Sequence, residues 1–239
     1  MYKYETHLHT APVSKCARFS VRKALEFYRS LHYDGVFITN HFIDGNLNID
    51  SSLPYEKRIN FYFSDYEEGV RLSKEIGIKV FCGVESSLLG TDFMIYGLDK
   101  DWFLSHPEIE QMTKKEVLPY YMEHRALVIQ THPFRQAGFI DHIRLFPDCV
   151  HGVETVNASR KDSENEMAKL YAGFYQLLEF AGTDNHGITG TYLAGMKSTS
   201  PIESVDDFIR KTKKGELKIF REPLNQRLQK TYLSEIDFT

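Results

Sequence analysis

Cysteine is scarce in this chain. Cys16, Cys82 and Cys149 are odd in number and widely separated among 239 positions, which argues against a disulfide framework and fits a reducing compartment. Long apolar runs are missing as well. None approaches the roughly 18 residues of a membrane span, and the opening Met1-Tyr2-Lys3-Tyr4-Glu5 is no apolar leader. The expectation is a cytoplasmic protein with no membrane partner. Positive charge is not in excess: 29 Lys and Arg stand against 33 Asp and Glu, a net charge of −4. A nucleic-acid face needs concentrated Lys and Arg, so a small-molecule substrate is favoured instead. Neither G-x-G-x-x-G nor a P-loop sequence occurs, which lowers the dinucleotide and nucleoside-triphosphate versions of an α/β fold. There is no internal repeat, low-complexity tract or Pro/Gly/Ser linker.

What is present suits one globular unit. With 42% hydrophobic and 26% charged residues, the chain can bury a sizeable core, and α/β barrels commonly reach this length as a single domain, here spanning 1–239. Short runs rich in β-branched and aromatic residues predict strands over 2–7, 35–40, 79–85, 92–97, 126–131, 152–155 and 179–183, with a short final one over 217–220. Helical spacing predicts helices over 20–31, 61–76, 114–125, 163–178 and 204–213, the third weakened by Pro119. Strands alternating with helices imply parallel pairing, and about seven such strands would close into a TIM-like barrel. The segment 42–60, rich in Asn, Asp, Ser and Pro, is the longest loop and would overhang the site.

Chemistry gathers at the strand ends. The first strand runs into His7-Leu8-His9, and alternation along an extended segment points both imidazoles to one side, a geometry suited to holding a metal. Other predicted strands stop at His41, at Glu85, at His132 and at Asp184-Asn185-His186. Barrel enzymes build their sites at the carboxyl ends of their strands. One polar strand end is ordinary; five such ends bearing His, Asp or Glu form a metal-ligand set. Imidazole with carboxylate suits zinc, manganese or iron better than calcium or magnesium.

These blocks resemble the polymerase and histidinol phosphatase (PHP) superfamily of metal-dependent phosphoesterases over nearly the whole chain. The matching blocks are Thr6-His7-Leu8-His9-Thr10, Tyr33 through His41, Gly83-Val84-Glu85, Thr131-His132-Pro133-Phe134, Gly152-Val153-Glu154 and Gly182 through His186. The resemblance implies a distorted seven-stranded (β/α)7 barrel with two or three divalent ions, and a phosphorylated metabolite, such as histidinol phosphate, as substrate. It puts His7, His9, Glu85 and Asp184 around one metal, with Glu85 bridging to a second that His132 also holds. His41 and His186 would hold a third. Two positions depart from the family pattern. Where a third ligand is usual shortly after the H-x-H, the nearest candidate is Cys16, as a thiolate ligand or a small buried residue. Where a histidine is usual between Glu85 and His132, Asp92 is the better stand-in and His106 the other.

Glu154 has a supporting role under the same resemblance, while His32, His124, His142 and His151 read as solvated. Arg135 and Arg160 are candidate phosphate clamps, because a planar guanidinium matches phosphate oxygens in a bidentate way; Lys15 is a third candidate. Metal-activated water would serve as nucleophile, so neither serine nor cysteine is needed for that role. Glu85, Asp184 and His186 are the candidate catalytic residues, Asp184 or His186 protonating the leaving group. Two other readings stand beside this one. An amidohydrolase-type enzyme also begins with H-x-H but wants a bridging lysine, and a metal-binding regulatory protein would keep the ligands without catalysis.

Overall fold

A computed structural model of the protein describes residues 1–187 and 190–224; the part of the expected single domain over 225–239 lies outside them. The described residues carry ten strands and six α-helices. They form two five-stranded sheets, and no closed barrel is found among them. One sheet contains, in spatial order, β10 (Lys218–Pro223), β9 (Tyr192–Ser198), β1 (Tyr2–Leu8), β2 (Gly35–Ile38) and β3 (Lys79–Cys82). The other contains β4 (Val84–Leu88), β5 (Thr91–Tyr96), β6 (Leu127–Thr131), β7 (Gly152–Asn157) and β8 (Leu178–Gly182).

The expectation of seven parallel strands is corrected here. Pairing is parallel in β1–β2–β3 and in β6–β7–β8; α-helices make the crossovers except from β6 to β7, which the loop 132–151 connects with one short 3-10 turn, Pro147–Cys149. It is antiparallel where β9 lies between β1 and β10, and again in β4–β5–β6. The single strand expected over 79–85 is two strands because the chain changes sheets at Gly83. A Cβ there would lie 2.8 Å from the Thr39 methyl and 2.9 Å from the Tyr96 ring, so only glycine lets the chain pass between them. The next turn is made by Leu89 and Gly90, both with positive φ, at 50° and 82°, which reverses β4 into β5.

The helices follow their sequence signals closely. α1 (Val21–Ser30) starts where the Ser20 hydroxyl accepts the Lys23 amide, and it buries Val21, Ala24, Leu25 and Tyr28 along one face. α2 (Tyr55–Ile76) begins six residues before the expected start at 61, right after Pro54, and stops at Gly77 in the left-handed conformation. A short helix, α3 (Lys100–Ser105), was not anticipated; the Asp99 carboxylate caps it. α4 (Lys114–Glu123) keeps Pro119 at its sixth position, where the missing amide costs one i→i−4 hydrogen bond. α5 (Asp162–Tyr175) and α6 (Val205–Lys213) complete the set. Tyr4, Phe37, Phe81, Met94, Tyr96, Leu127, Phe180 and Phe208 fill the space between the sheets. The Tyr96 hydroxyl donates to the Thr6 carbonyl at 2.8 Å, so this packed floor lies directly under the strand ends. No helix among the described residues is long and apolar enough to cross a membrane.

Candidate metal centre

The two sheets meet where the candidate ligands sit. Asp184 donates its amide to the His7 carbonyl at 2.9 Å, and His9 donates to the Asn185 carbonyl at 3.1 Å, joining the end of β8 to the end of β1. At the other seam Glu85 donates to the Asn40 carbonyl at 3.1 Å and accepts from Phe42 at 2.8 Å. Antiparallel pairing places Asp92 opposite Thr131, beside His132. Residues far apart in sequence therefore share one rim. His132 and Asp184 hold positive φ angles of 28° and 54°, a conformation that costs on the order of 1–3 kcal/mol for a non-glycine residue and is kept only where surroundings enforce it.

Glu85 is the centre of the cluster. Its carboxylate lies 3.1 Å from His7 Nε2, 3.4 Å from His9 Nε2, 2.7 Å from His41 Nδ1 and 3.6 Å from His132 Nε2. Both of its oxygens are buried and neither has a hydrogen-bond partner. His7 Nε2 and His9 Nε2 are 3.1 Å apart, and Asp184 Oδ1 lies 3.5 Å and 3.6 Å from them. His132 Nε2 is 3.7 Å from Asp92 Oδ2, and His41 Nε2 is 3.4 Å from His186 Nε2. Three groups have donor atoms within 4.8 Å of one another: His7, His9 and Asp184; His7, Glu85 and His132; and His9, His41 and His186. Carboxylate oxygens and imidazole nitrogens crowded together, several of them without an aligned protein partner, are the expected surroundings of a cation, and buried orphan acceptors are otherwise costly. The donor set therefore fits divalent metal.

Electrostatics divide the cluster. Burial works against a charged His7, but Glu154, Asp184 and Glu85 outweigh it and hold His7 well above the usual imidazole range. Burial, His186 and His41 push His9 well below it. Despite burial, His41, His9 and His7 hold Glu85 well below the usual carboxylate range, and His7, His186 and His132 bring Asp184 down to about 2. Burial and then the Glu85 charge raise Asp92. Burial also raises the Cys16 thiol, yet its hydrogen bonds with His186 and His41 bring it down to about 6. Cys16 as a residue is exposed on the cavity lining, with its thiol partly covered beside His41 and His186, so it is not the small buried cysteine of the other reading.

A surrounding layer fixes the rings. Glu154 holds His7 Nδ1 at 2.9 Å with one oxygen; the other accepts the His132 amide at 3.2 Å and the Asn157 amide group at 2.8 Å. The supporting role expected of Glu154 thus takes the form of one carboxylate steering two histidines. Ser14 Oγ lies 3.2 Å from His9 Nδ1, receives the His41 amide at 3.0 Å and donates to Asn40 at 2.9 Å. Asn40 and Thr10 in turn donate to buried Asp65 on α2, at 3.0 and 2.7 Å. Sequence reasoning missed Ser14, Asn40 and Asp65; a lone aspartate within the buried stripe of α2 was the available signal.

The cluster forms the floor of an open cavity of about 1030 Å³. Arg135 and Arg160 stand at its edge, with Nη atoms 3.5 Å from Asp92 Oδ2 and from Asp184 Oδ2. Lys15 is exposed and is not among the lining residues, so it is not brought to the cluster. The loop after His41 supplies Asp44, Gly45 and Asn46 to the lining, consistent with the overhang expected of it. His106 is remote from the cluster: its Nδ1 faces the Trp102 carbonyl at 2.7 Å and its ring stacks on Trp102 at 4.2 Å. Of the two candidates for the departing ligand position, Asp92 lies at the cluster and His106 does not. His124 and His151 are partly buried and hydrogen-bonded, not simply solvated, whereas His142 is exposed beside Asp141.

No protein-family model and no curated protein matches the sequence. Solved structures do match in shape. A two-domain protein from Bacteroides vulgatus containing a predicted PHP-like metal-dependent phosphoesterase superposes with a TM-score of 0.66 at 14% identity, over 97% of this chain and 69% of that one. PsfC from Pseudomonas syringae gives 0.60 at 13% identity over 99% and 100% of the two chains. A proposed metal-dependent phosphoesterase from Bifidobacterium adolescentis gives 0.55 at 13% identity over 87% and 95%. At these identities the likeness is one of fold alone, and the structures that share the fold include a protein with a predicted PHP-like domain, in line with the resemblance of the sequence blocks.

Proposed function

We propose that this protein is a metal-dependent phosphoesterase that hydrolyses a small phosphorylated metabolite. The observation that carries the reading is Glu85, a fully buried carboxylate with four imidazoles around it and no well-aligned hydrogen-bond donor on either oxygen. His7, His9, Glu85 and Asp184 would hold one zinc, manganese or iron ion; Glu85, His132 and Asp92 a second; His41, His186 and Cys16 a third. Ions held there would lower the pKa of a ligated water from about 15.7 toward about 7, making hydroxide available at neutral pH. The protein's own part is orientation and charge. Arg135 and Arg160 face the cavity beside Asp92 and Asp184 and would grip the phosphoryl oxygens. His186, whose side chain is 27% exposed and whose Nδ1 is 3.0 Å from the Asp184 carbonyl, would either hold the third ion or, with that ion absent, pass a proton to the departing oxygen, but not both. Glu85 would bridge as a carboxylate, where an amidohydrolase-type site would want a lysine.

Elemental analysis of the purified protein with an assay on 4-nitrophenyl phosphate tests the reading. We expect bound transition metal and turnover, both abolished in the paired replacements His9→Ala and Asp184→Ala. Turnover that survives in the metal-free protein would overturn the reading; bound metal without turnover across a panel of phosphate esters would favour a regulatory metal protein.

A further inference from the structure

Leu89 and Phe139 stand out on the cavity wall. They are 68% and 66% exposed, and both line the space above the ligand cluster. A single exposed apolar side chain needs no explanation, but these two stand on loops packed against each other and line the same cleft. The two belong to loops held together as one wall. A Cβ on Gly90 would lie 2.6 Å from Ile140 and 3.1 Å from the Phe139 ring, so the β4–β5 turn and the loop 133–146 touch where only glycine fits. Arg144 Nη1 also donates to the Leu89 carbonyl at 3.3 Å. Leu89 keeps a left-handed backbone, φ 50°, that leucine rarely adopts.

The wall is tied to the reacting end of the site through one side chain. Arg135 places Nη1 3.5 Å from Asp92 and its guanidinium 5.2 Å from the centre of the Phe139 ring. A phosphoryl group gripped by Arg135 therefore has an apolar ring next to it. We propose that the alcohol portion of the ester is apolar and ring-bearing, and that Phe139 and Leu89 are specificity-determining residues that bind it. This rests on the phosphoesterase reading, and the test separates the two. Planar rings pack well on aromatic faces, while a polar alcohol gains nothing there.

The experiment compares 2-phenylethyl phosphate with ethyl phosphate, which share a primary-alcohol leaving group and differ by the ring. Phe139→Ala and, separately, Leu89→Asn are chosen because Phe139 is mostly exposed and asparagine tolerates a left-handed backbone. Each variant is expected to lose about tenfold in kcat/KM on the phenylethyl ester, through KM, with less than about twofold change on the ethyl ester. Equal losses on both esters, or no loss on either, overturn the proposal. Calorimetric binding of 2-phenylethylphosphonate against ethylphosphonate gives a readout that needs no turnover. If neither ester is hydrolysed the phosphoesterase reading fails, and tighter phenylethylphosphonate binding that Phe139→Ala abolishes still supports the wall. Equal binding of the two phosphonates overturns it.

Discussion

Two regions of this molecule gather histidine, and they differ in what the rings face. Around Glu85, five histidines crowd carboxylates. The His9 ring lies 4.1 Å from that of His186 and 4.3 Å from that of His41, and the cluster leaves Glu85 and His132 Nδ1 without hydrogen bonds. Beside α3 and α4, the rings of His106 and His124 pack on Trp102 at 4.2 and 5.2 Å. There each Nδ1 faces the carbonyl four residues earlier, at 2.7 and 2.9 Å. The second group is complete without a cation; the first is not. Residue type alone does not make a metal site, and unanswered lone pairs converging from several elements do.

The largest test of this contrast removes the central carboxylate. Glu85→Gln should lower metal content below one ion per chain and reduce kcat/KM by at least about a thousandfold, whereas His124→Ala should leave both within about twofold. Loss of metal from His124→Ala would break the distinction. Glu154→Gln sharpens it: weakening the hold on His7 Nδ1 should reduce metal affinity about 10–100-fold in chelator competition without unfolding the protein. An unchanged affinity would show that the ring is set by packing instead.

The softest donor offers a spectroscopic test. If Cys16 joins His41 and His186 around an ion, the cobalt-loaded protein should show a thiolate-to-cobalt charge-transfer band in the near ultraviolet that Cys16→Ser abolishes. An identical spectrum in the variant would remove Cys16 from the ligand set. On the other side of the comparison, Trp102→Ala should destabilise the fold by about 2–4 kcal/mol in urea titrations, because it strips the stacking surface from two rings. Metal content should not change.

Much of the cluster was legible because each strand ends on its ligand, and strand order survives folding. His7, His9, His41, Glu85, His132, Asp184 and His186 are read directly from where the apolar runs stop. The antiparallel elements were less legible. Tyr192–Ser198 carries Gly195, at φ 153°, and its alternation is interrupted there. The sheet change at Gly83 depends on Thr39 and Tyr96, which are 44 and 13 residues away. The partners of Asp65 and the meeting of Phe139 with Gly90 depend on tertiary approach, which local spacing does not encode. His106 was weighed as a ligand because its stacking on Trp102 has no sequence signature of its own.

The smallest test extends the contrast to carboxylates. Unlike Glu85, Asp207 is answered by protein donors, accepting from Arg210 at 2.7 Å, Lys211 at 3.0 Å and the Glu203 amide at 3.2 Å. Burial raises its pKa, but these partners together outweigh it and bring it from 3.8 down to about 2. A depressed carboxyl stabilises the fold above its unfolded pKa and loses that contribution as pH falls through the folded value. Asp207→Asn should therefore cost about 1 kcal/mol near neutrality, and the difference from the wild type should shrink between about pH 4 and pH 2. A constant difference across that window would show that the ion pairs contribute nothing.

Anomalous diffraction from crystals grown with zinc or manganese addresses the Glu85 cluster most directly. Peaks within about 2.0–2.2 Å of the His7, His9, Glu85 and Asp184 donor atoms are the predicted result. A map without such peaks, from crystals in which Glu85 has found hydrogen-bond donors instead, would contradict the account.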